Sequence, residues 1–328
     1  MEPVRVVRRQ VWREDSSSFG SRSVPEETAI ALSYNGGTYA VMMATPQDLQ
    51  DFAVGFSLSE GIINSPADIE LLDIEVFDDG IEVQMWLNRS KADRLRERRR
   101  QIAGPTGCGL CGIESIAEAM RPAASIAHGR QFSPEQIMVA MRSLPARQRL
   151  NIETRAVHAA AFWNTMSGIV ALREDVGRHN ALDKLSGSLA RASIATSEGI
   201  ILLTSRVSVE MVQKSAAIGV PVMVSVSAPT ALAVRMADAA GITLAAIARA
   251  DGFEVFTHAR RISPAAVPVL RQEVAGTPDT HSAISSCPCL LNRGGLLWMA
   301  TVRGERTPLQ RVASRRGFSG LDRMRRAS

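Results

Sequence analysis

No run of about 18 uncharged apolar residues occurs anywhere in the 328-residue chain, so no segment reads as a membrane-spanning helix. The start, Met1-Glu2-Pro3-Val4-Arg5, lacks the basic-then-apolar layout of a secretory leader, and the expected location is the cytoplasm. Cysteine is scarce. Four in a chain of this length are not a disulfide framework, and a CxxC in a reducing compartment points to metal binding or redox chemistry. No long-period repeat is visible. With 45% apolar residues, the chain is long enough for two domains with buried cores.

The net charge of +5 would ordinarily raise nucleic acid as a partner. Its distribution argues otherwise. Residues 263–328 hold 10 Lys+Arg against 4 Asp+Glu, leaving 28 against 29 in residues 1–262. The basicity belongs to the C-terminal extension, and a nucleic-acid footprint on the body is not expected.

Local patterning divides the chain. Residues 1–24 are polar, rich in Arg and Ser, and read as a partly ordered segment. Residues 25–104 read as a small α+β domain. Thr28 to Tyr34 and Thr38 to Met43 form a hairpin around Asn35-Gly36-Gly37, and Ile69 to Phe77 with Ile81 to Leu87 form another around Asp78-Asp79-Gly80. Between them a helix is expected, with Thr45 as cap and Pro46 at its first position. Arg94 to Arg100 reads as a charged, solvated stretch. Residues 105–120 carry a glycine-rich CxxC loop and a short helix from Ile113 to Met120. Over residues 121–262, β-type runs alternate with helical runs, which predicts an α/β domain with a mainly parallel sheet. Beyond Ile262 the Pro, Gly, Ser and Arg content predicts a flexible basic extension.

The first chemistry-bearing feature is Gly107-Cys108-Gly109-Leu110-Cys111-Gly112. Thiolate is the nucleophilic form of cysteine, and a helix N-terminus favours it. Cys111 stands just before the predicted helix, and Cys108 lies one turn earlier among glycines that permit close approach to a partner. Such a cysteine could accept sulfane sulfur as a persulfide, with Cys111 supporting or resolving it. Structural zinc needs about four ligands, and the other cysteines, Cys287 and Cys289, are one residue apart in the extension; no metal is expected. A thioredoxin-like exchanger carries its CxxC after the first strand of a βαβ unit, whereas this one falls between domains. Two ordinary cysteines in a tight turn remain the bland alternative. Deaminase chemistry is excluded, because His158-Ala159-Ala160 has alanine where the proton-shuttling glutamate belongs.

The second feature is Asp175-Val176-Gly177-Arg178-His179-Asn180-Ala181-Leu182-Asp183-Lys184, which joins a strand to a helix. A helix N-terminus with guanidinium and ammonium groups suits a phosphate, and Arg178, His179, Asn180 and Lys184 are the candidate ligands. Ser205-Arg206 and Ser225-Val226-Ser227-Ala228-Pro229-Thr230 close two further strands, so Arg206 and Ser227 should join the same edge. The alternative is a set of helix caps with one surface ion pair, such as Asp183 with Arg178.

These residues, together with Glu27-Thr28, Asn35-Gly36, Thr45-Pro46, Gly55-Phe56 and Ser59-Glu60-Gly61-Ile62-Ile63, resemble the formate dehydrogenase accessory sulfurtransferases, the FdhD family, from about Glu26 to Ile262. The resemblance implies a cytidine-deaminase-like, three-layer α/β domain without deaminase chemistry. It implies a sulfurtransferase that takes sulfur from a cysteine desulfurase and passes it to molybdenum held by two molybdopterin guanine dinucleotides, before insertion into formate dehydrogenase. Cys108 matches the family's persulfide cysteine. Ile247, Ala248, Arg249, Ala250, Asp251 and Gly252 match its cofactor-binding segment, although many members have an aromatic at the place of Ile247. A homodimer is also implied. Two further classes stay open: a cofactor chaperone without sulfur chemistry, and a zinc- or nucleic-acid-binding module.

Overall fold

The structure, a computed structural model, describes residues 1–102 and 120–264, all within one compact unit, Met1–Leu270. Cys108, Cys111, the helix expected after them and the C-terminal extension lie outside the described residues. The fold is mixed α/β.

The chain begins with a two-stranded antiparallel ribbon, β1 (Val4–Arg13) and β2 (Ser16–Pro25), where the sequence suggested a partly ordered segment. Valines and Trp12 give β1 its strand character, but the serines of β2 offer no apolar alternation to read.

The next four strands are β3 (Thr28–Tyr34), β4 (Gly37–Ala44), β5 (Ile69–Val76) and β6 (Gly80–Leu87), in the order β4-β3-β6-β5. Both expected hairpins are present, and Asn35 and Gly36 take the positive φ of 49° and 78° that their tight turn needs. β3 and β6 run parallel at the centre. Ile30, Leu32, Val83 and Met85 point to one face and pack on α1 (Leu49–Ser59) through Phe52 and Phe56. The cap differs from expectation. Asp48, with φ 55°, precedes α1 without a side-chain cap, and Thr45 is used elsewhere. The charged stretch after β6 belongs to α2 (Arg89–Ile102), whose Ala92 and Leu95 are buried.

The second sheet follows α3 (Pro134–Ser143), opened by a Ser133–Gln136 capping box, and α4 (Arg149–Thr154). Its strands are β7 (His158–Asn164), β8 (Gly168–Asp175), β9 (Gly199–Leu203), β10 (Val222–Ser225), β11 (Thr243–Arg249) and β12 (Gly252–Val255). The helices between them are α5 (Arg178–Arg191), α6 (Val209–Ile218) and α7 (Ala231–Ala240). The order is β12-β11-β10-β9-β7-β8. The expectation of a mainly parallel sheet holds only in part. β9, β10 and β11 pair in parallel, while the hairpins β7–β8 and β11–β12 and the β7–β9 pair are antiparallel. β7 is not apparent from the sequence because its His-Ala-Ala-Ala start has low strand propensity, and burial between two neighbours decides its conformation.

Alternation covers both faces of this sheet. Phe162, Leu203, Met223 and Leu244 pack with the α5–α7 side, and Ala161, Leu202, Val224 and Ala245 with Ile137 and Met141 of α3. The two sheets are joined where α1 crosses α5 at close range through Gly55 and Gly187. Among the described residues no helix is long and apolar enough to cross a membrane.

Candidate functional site

Strand direction gathers the site. β8, β9, β10 and β11 point the same way and end at one edge, at Asp175, Leu203, Ser225 and Arg249. β7 runs against them and begins there, with His158 opposite Asp175. Short bonds hold the loops beyond this edge. Ala159 N–H donates to Thr204 Oγ1 (2.9 Å), Ser225 Oγ–H donates to the Ser205 carbonyl (2.6 Å), and Ser227 N–H donates to Ser225 Oγ (3.1 Å). The Ser205-Arg206 and Ser225–Thr230 loops are therefore brought together as the sequence suggested. Arg206 is exposed and Ser227 half-buried there.

α5 points its N-terminus at the same edge. Its cap residue, Gly177, supplies no side-chain acceptor, so the first amides are left to a ligand or to water. Arg178 stands on the first turn. Its Nε is buried and has no hydrogen-bond partner among the described residues. Burial, reinforced by the Arg178 guanidinium, holds His158 below the ordinary histidine value. His179 is depressed for the same two reasons, against the opposing pull of Glu210, whose carboxylate lies 3.1 Å from Nε2. The cleft thus carries fixed guanidinium charge beside neutral imidazoles. That electrostatic environment suits an anion.

Asn180 and Lys184 do not line this cleft, contrary to the sequence-based assignment. Lys184 is fully buried. Its ammonium lies 2.6 Å from Asp175 Oδ2 and donates to the Thr45 carbonyl at 2.8 Å. Asn180 donates to Asp175 Oδ1 (3.0 Å) and to the Met43 carbonyl (2.8 Å). Asp175 also accepts from the Thr45 and Gly177 amides, and Thr45 Oγ1 accepts from Val176 N–H. These residues form a buried clamp that ties the corner after β4 to the loop carrying Arg178. The bland alternative holds in part: Thr230 caps α7 by accepting from Ala233 N–H, but the ion pair of Asp183 is with Lys214 (2.8 Å), with Ser59 donating to it at 2.7 Å, and not with Arg178.

The segment 247–252 contributes an irregular backbone. β11 bulges between Ala246 and Arg249, and Ile247 sits at φ 53°, a left-handed conformation that is costly for a β-branched residue. The bulge aims the Arg249 guanidinium at the Val226 carbonyl, beside Ser227. Ala248 is buried, whereas Ala250 and Asp251 form the exposed turn into β12 at Gly252. The hub role of Asp175 and Thr45 and the place of His158 at this edge were not evident from the sequence. The signal available for the clamp was an Asp and a Lys nine residues apart across a strand–helix junction.

Residues 25–263 match the model of the FdhD/NarQ family. The chain belongs to the FdhD/NarQ family. It is 52% identical over 259 residues to a protein of Agrobacterium fabrum named sulfur carrier protein FdhD, covering 79% of this chain and 96% of that one. A Cupriavidus necator protein of the same name is 48% identical over 251 residues, covering 76% and 87%. Among solved structures, a formate dehydrogenase accessory protein from Desulfotalea psychrophila matches with a TM-score of 0.63 and 26% identity, over 80% of this chain and all of that one. The FdhD/NarQ match starts at the end of β2, so the N-terminal ribbon precedes it.

Proposed function

We propose that this FdhD/NarQ protein is a cytoplasmic sulfurtransferase that carries sulfur to the molybdenum cofactor of formate dehydrogenase. A cysteine desulfurase persulfide meets the Cys108 thiolate. The terminal sulfur moves to Cys108 as a new S–S bond forms, and the desulfurase thiolate leaves with the electron pair of the broken one. Attack of the Cys111 thiolate on the Cys108 sulfur then releases hydrosulfide to the metal and leaves a Cys108–Cys111 disulfide, which a cellular dithiol reduces. The substrate is molybdenum carried by two molybdopterin guanine dinucleotides, whose pyrophosphates suit the cleft of Arg178, Arg206, Ser227 and Arg249. Homodimerisation and a cytidine-deaminase-like ancestry for the six-stranded half belong to the same reading.

The observation that carries the proposal is the convergence of Arg178, with its unpaired Nε, and the uncapped end of α5 on the edge where the family motifs meet. Relatives named as sulfur carriers support it. Incubation with desulfurase and cysteine should add the mass of one sulfur atom to the intact chain, and Cys108→Ala should abolish both that adduct and formate dehydrogenase maturation. An adduct that persists in Cys108→Ala refutes the assignment. Delivery that survives in Cys108→Ser would favour the chaperone alternative.

A further inference from the structure

Helices α5 and α6 face each other with ionisable side chains at matching positions. His179 and Asp183 lie one turn apart on α5, and Glu210 and Lys214 one turn apart on α6. They pair as two rungs. The inner rung, Lys214 with Asp183, is buried and is fixed from α1 by the Ser59 hydroxyl. The outer rung, His179 with Glu210, stays half-buried beside Arg178 at the anion cleft. The sulfur-carrier reading leaves this rung without a task.

The outer rung has the geometry of a proton-transfer pair. Both polar neighbours of the ring sit at His179 Nε2, the Glu210 carboxylate at 3.1 Å and the Ser208 hydroxyl at 3.4 Å. Ser208 donates its own hydrogen to Glu210 Oε2 (3.1 Å), so Nε2 meets acceptors only. The neutral ring therefore carries its hydrogen on Nε2 and its lone pair on Nδ1. Nδ1 has no hydrogen-bond partner among the described residues. A carboxylate behind one ring nitrogen fixes the tautomer and stabilises the imidazolium once the other nitrogen takes a proton. The charged groups acting on the ring are Arg178 and Asp183 from α5 and Glu210 and Lys214 from α6. Burial and Arg178 outweigh the carboxylates, which keeps the ring neutral and able to accept a proton at pH 7.

A further contact brings this seam to the sulfur chemistry. Arg121 stands ten residues after Cys111. Its guanidinium donates to the Ser59 carbonyl (3.2 Å), and its own carbonyl accepts from Gln213 Nε2 (2.8 Å). Arg121 is thus fastened to α1 and α6, the helices that carry Ser59 and Lys214 of the inner rung.

We infer that His179 is the proton shuttle of sulfur release and that Glu210 is its positioning residue; the inference rests on the sulfur-carrier reading. The attacking thiol gives its proton to Nδ1 as its sulfur bonds to the inner sulfur of the persulfide anion. The bond to the outer sulfur breaks, and the electron pair stays on that sulfur. Nδ1 then hands the proton on, the outer sulfur departs as hydrosulfide, and the ring is neutral again. The outer sulfur is reduced while the two cysteine sulfurs are oxidised to a disulfide, so no other oxidant is needed. A sulfur leaves faster the lower its pKa, and protonation is what makes this one leave.

Single-turnover release tests the shuttle. The full chain is loaded by desulfurase and cysteine and freed of both, and hydrosulfide release is timed from about pH 5.5 to 9. Rates are expressed per loaded Cys108, so uptake and release are read apart. The parent rate should fall as pH drops through the ionisation of His179, followed separately by NMR of its ring protons. His179→Gln should lack that limb and release about tenfold or more slowly at pH 7. Glu210→Gln should slow release and move the limb to lower pH, because the carboxylate raises the ring. A His179→Gln chain that keeps the parent rate and profile overturns the shuttle and leaves the carrier reading standing. Should circular dichroism show His179→Gln to be unfolded, Glu210→Gln decides, and an unmoved limb refutes the inference. A parent chain that takes up no sulfur refutes the carrier reading and the shuttle together.

Discussion

Gly55 and Gly187 meet backbone to backbone where α1 crosses α5. A Cβ on Gly55 would lie 1.7 Å from the Asp183 carbonyl oxygen, and one on Gly187 would lie 1.9 Å from that of Asp51. Neither obstacle is a side chain that can rotate away. The two helices could accommodate a methyl group only by separating, which would open the joint between the sheets. Gly55→Ala and Gly187→Ala are each expected to cost about 3 kcal/mol, read as a fall in the denaturant midpoint. A change below about 0.5 kcal/mol in both would refute this packing.

The buried clamp gives a second prediction. Lys184→Met leaves Asp175 charged, enclosed and without its cation, and should cost about 3–5 kcal/mol. Adding Asp175→Asn removes the unpaired charge and keeps one oxygen acceptor, enough for either the Gly177 or the Thr45 amide. The double variant should therefore recover much of the loss in urea denaturation. If the double variant were as unstable as the sum of the singles, the two side chains would not be coupled.

The histidines set a pH dependence with a definite sign. His158 and His179 are both depressed by burial and by Arg178. A depressed group contributes stability that is present above its unfolded value, 6.5, and is lost as pH falls through its lower folded value. Protonation also adds cations to the cleft, so guanosine diphosphate affinity should rise over the same falling range. Isothermal titration from pH 7.5 downward should show that rise, and His158→Asn should flatten it. An affinity that falls with pH in this window would contradict the assignment. At pH 7.5, Arg178→Ala should weaken the nucleotide by about tenfold or more, as loss of a charge-assisted contact implies.

Ile247 supplies a prediction about strain. Its left-handed backbone costs roughly 1–2 kcal/mol that glycine does not incur. Ile247→Gly should therefore change stability by less than about 1 kcal/mol, the relief offsetting the lost side chain. Leu244→Ala, earlier in the same strand and fully buried, should cost about 2–5 kcal/mol. Equal penalties at the two positions would show that the bulge stores no strain.

Much of the site was legible from local chemistry. Asn35-Gly36 fixes its hairpin through positive φ, Ser133-Pro134 starts α3 by capping, and Ser205, Arg206 and Ser227 stand at strand ends because apolar runs stop there. The β1–β2 ribbon and β7 escaped notice for one shared reason. The serines of β2 and the alanines that open β7 have no apolar alternation of their own, and the arginines of β1 interrupt its valines, so pairing with a neighbour decides these strands.

The family, the two hairpins of the small sheet and the alternation that builds the large one follow from turn residues, apolar spacing and ordered motifs read along the chain. Which polar residues face the cleft depends on the three-dimensional packing. Arg178 and Lys184 stand six residues apart in a single motif, yet one presents a guanidinium to the edge while the other is sealed beneath it against Asp175. A helix turns its successive side chains in different directions, and what each one meets depends on packing partners far away in the chain, here Thr45.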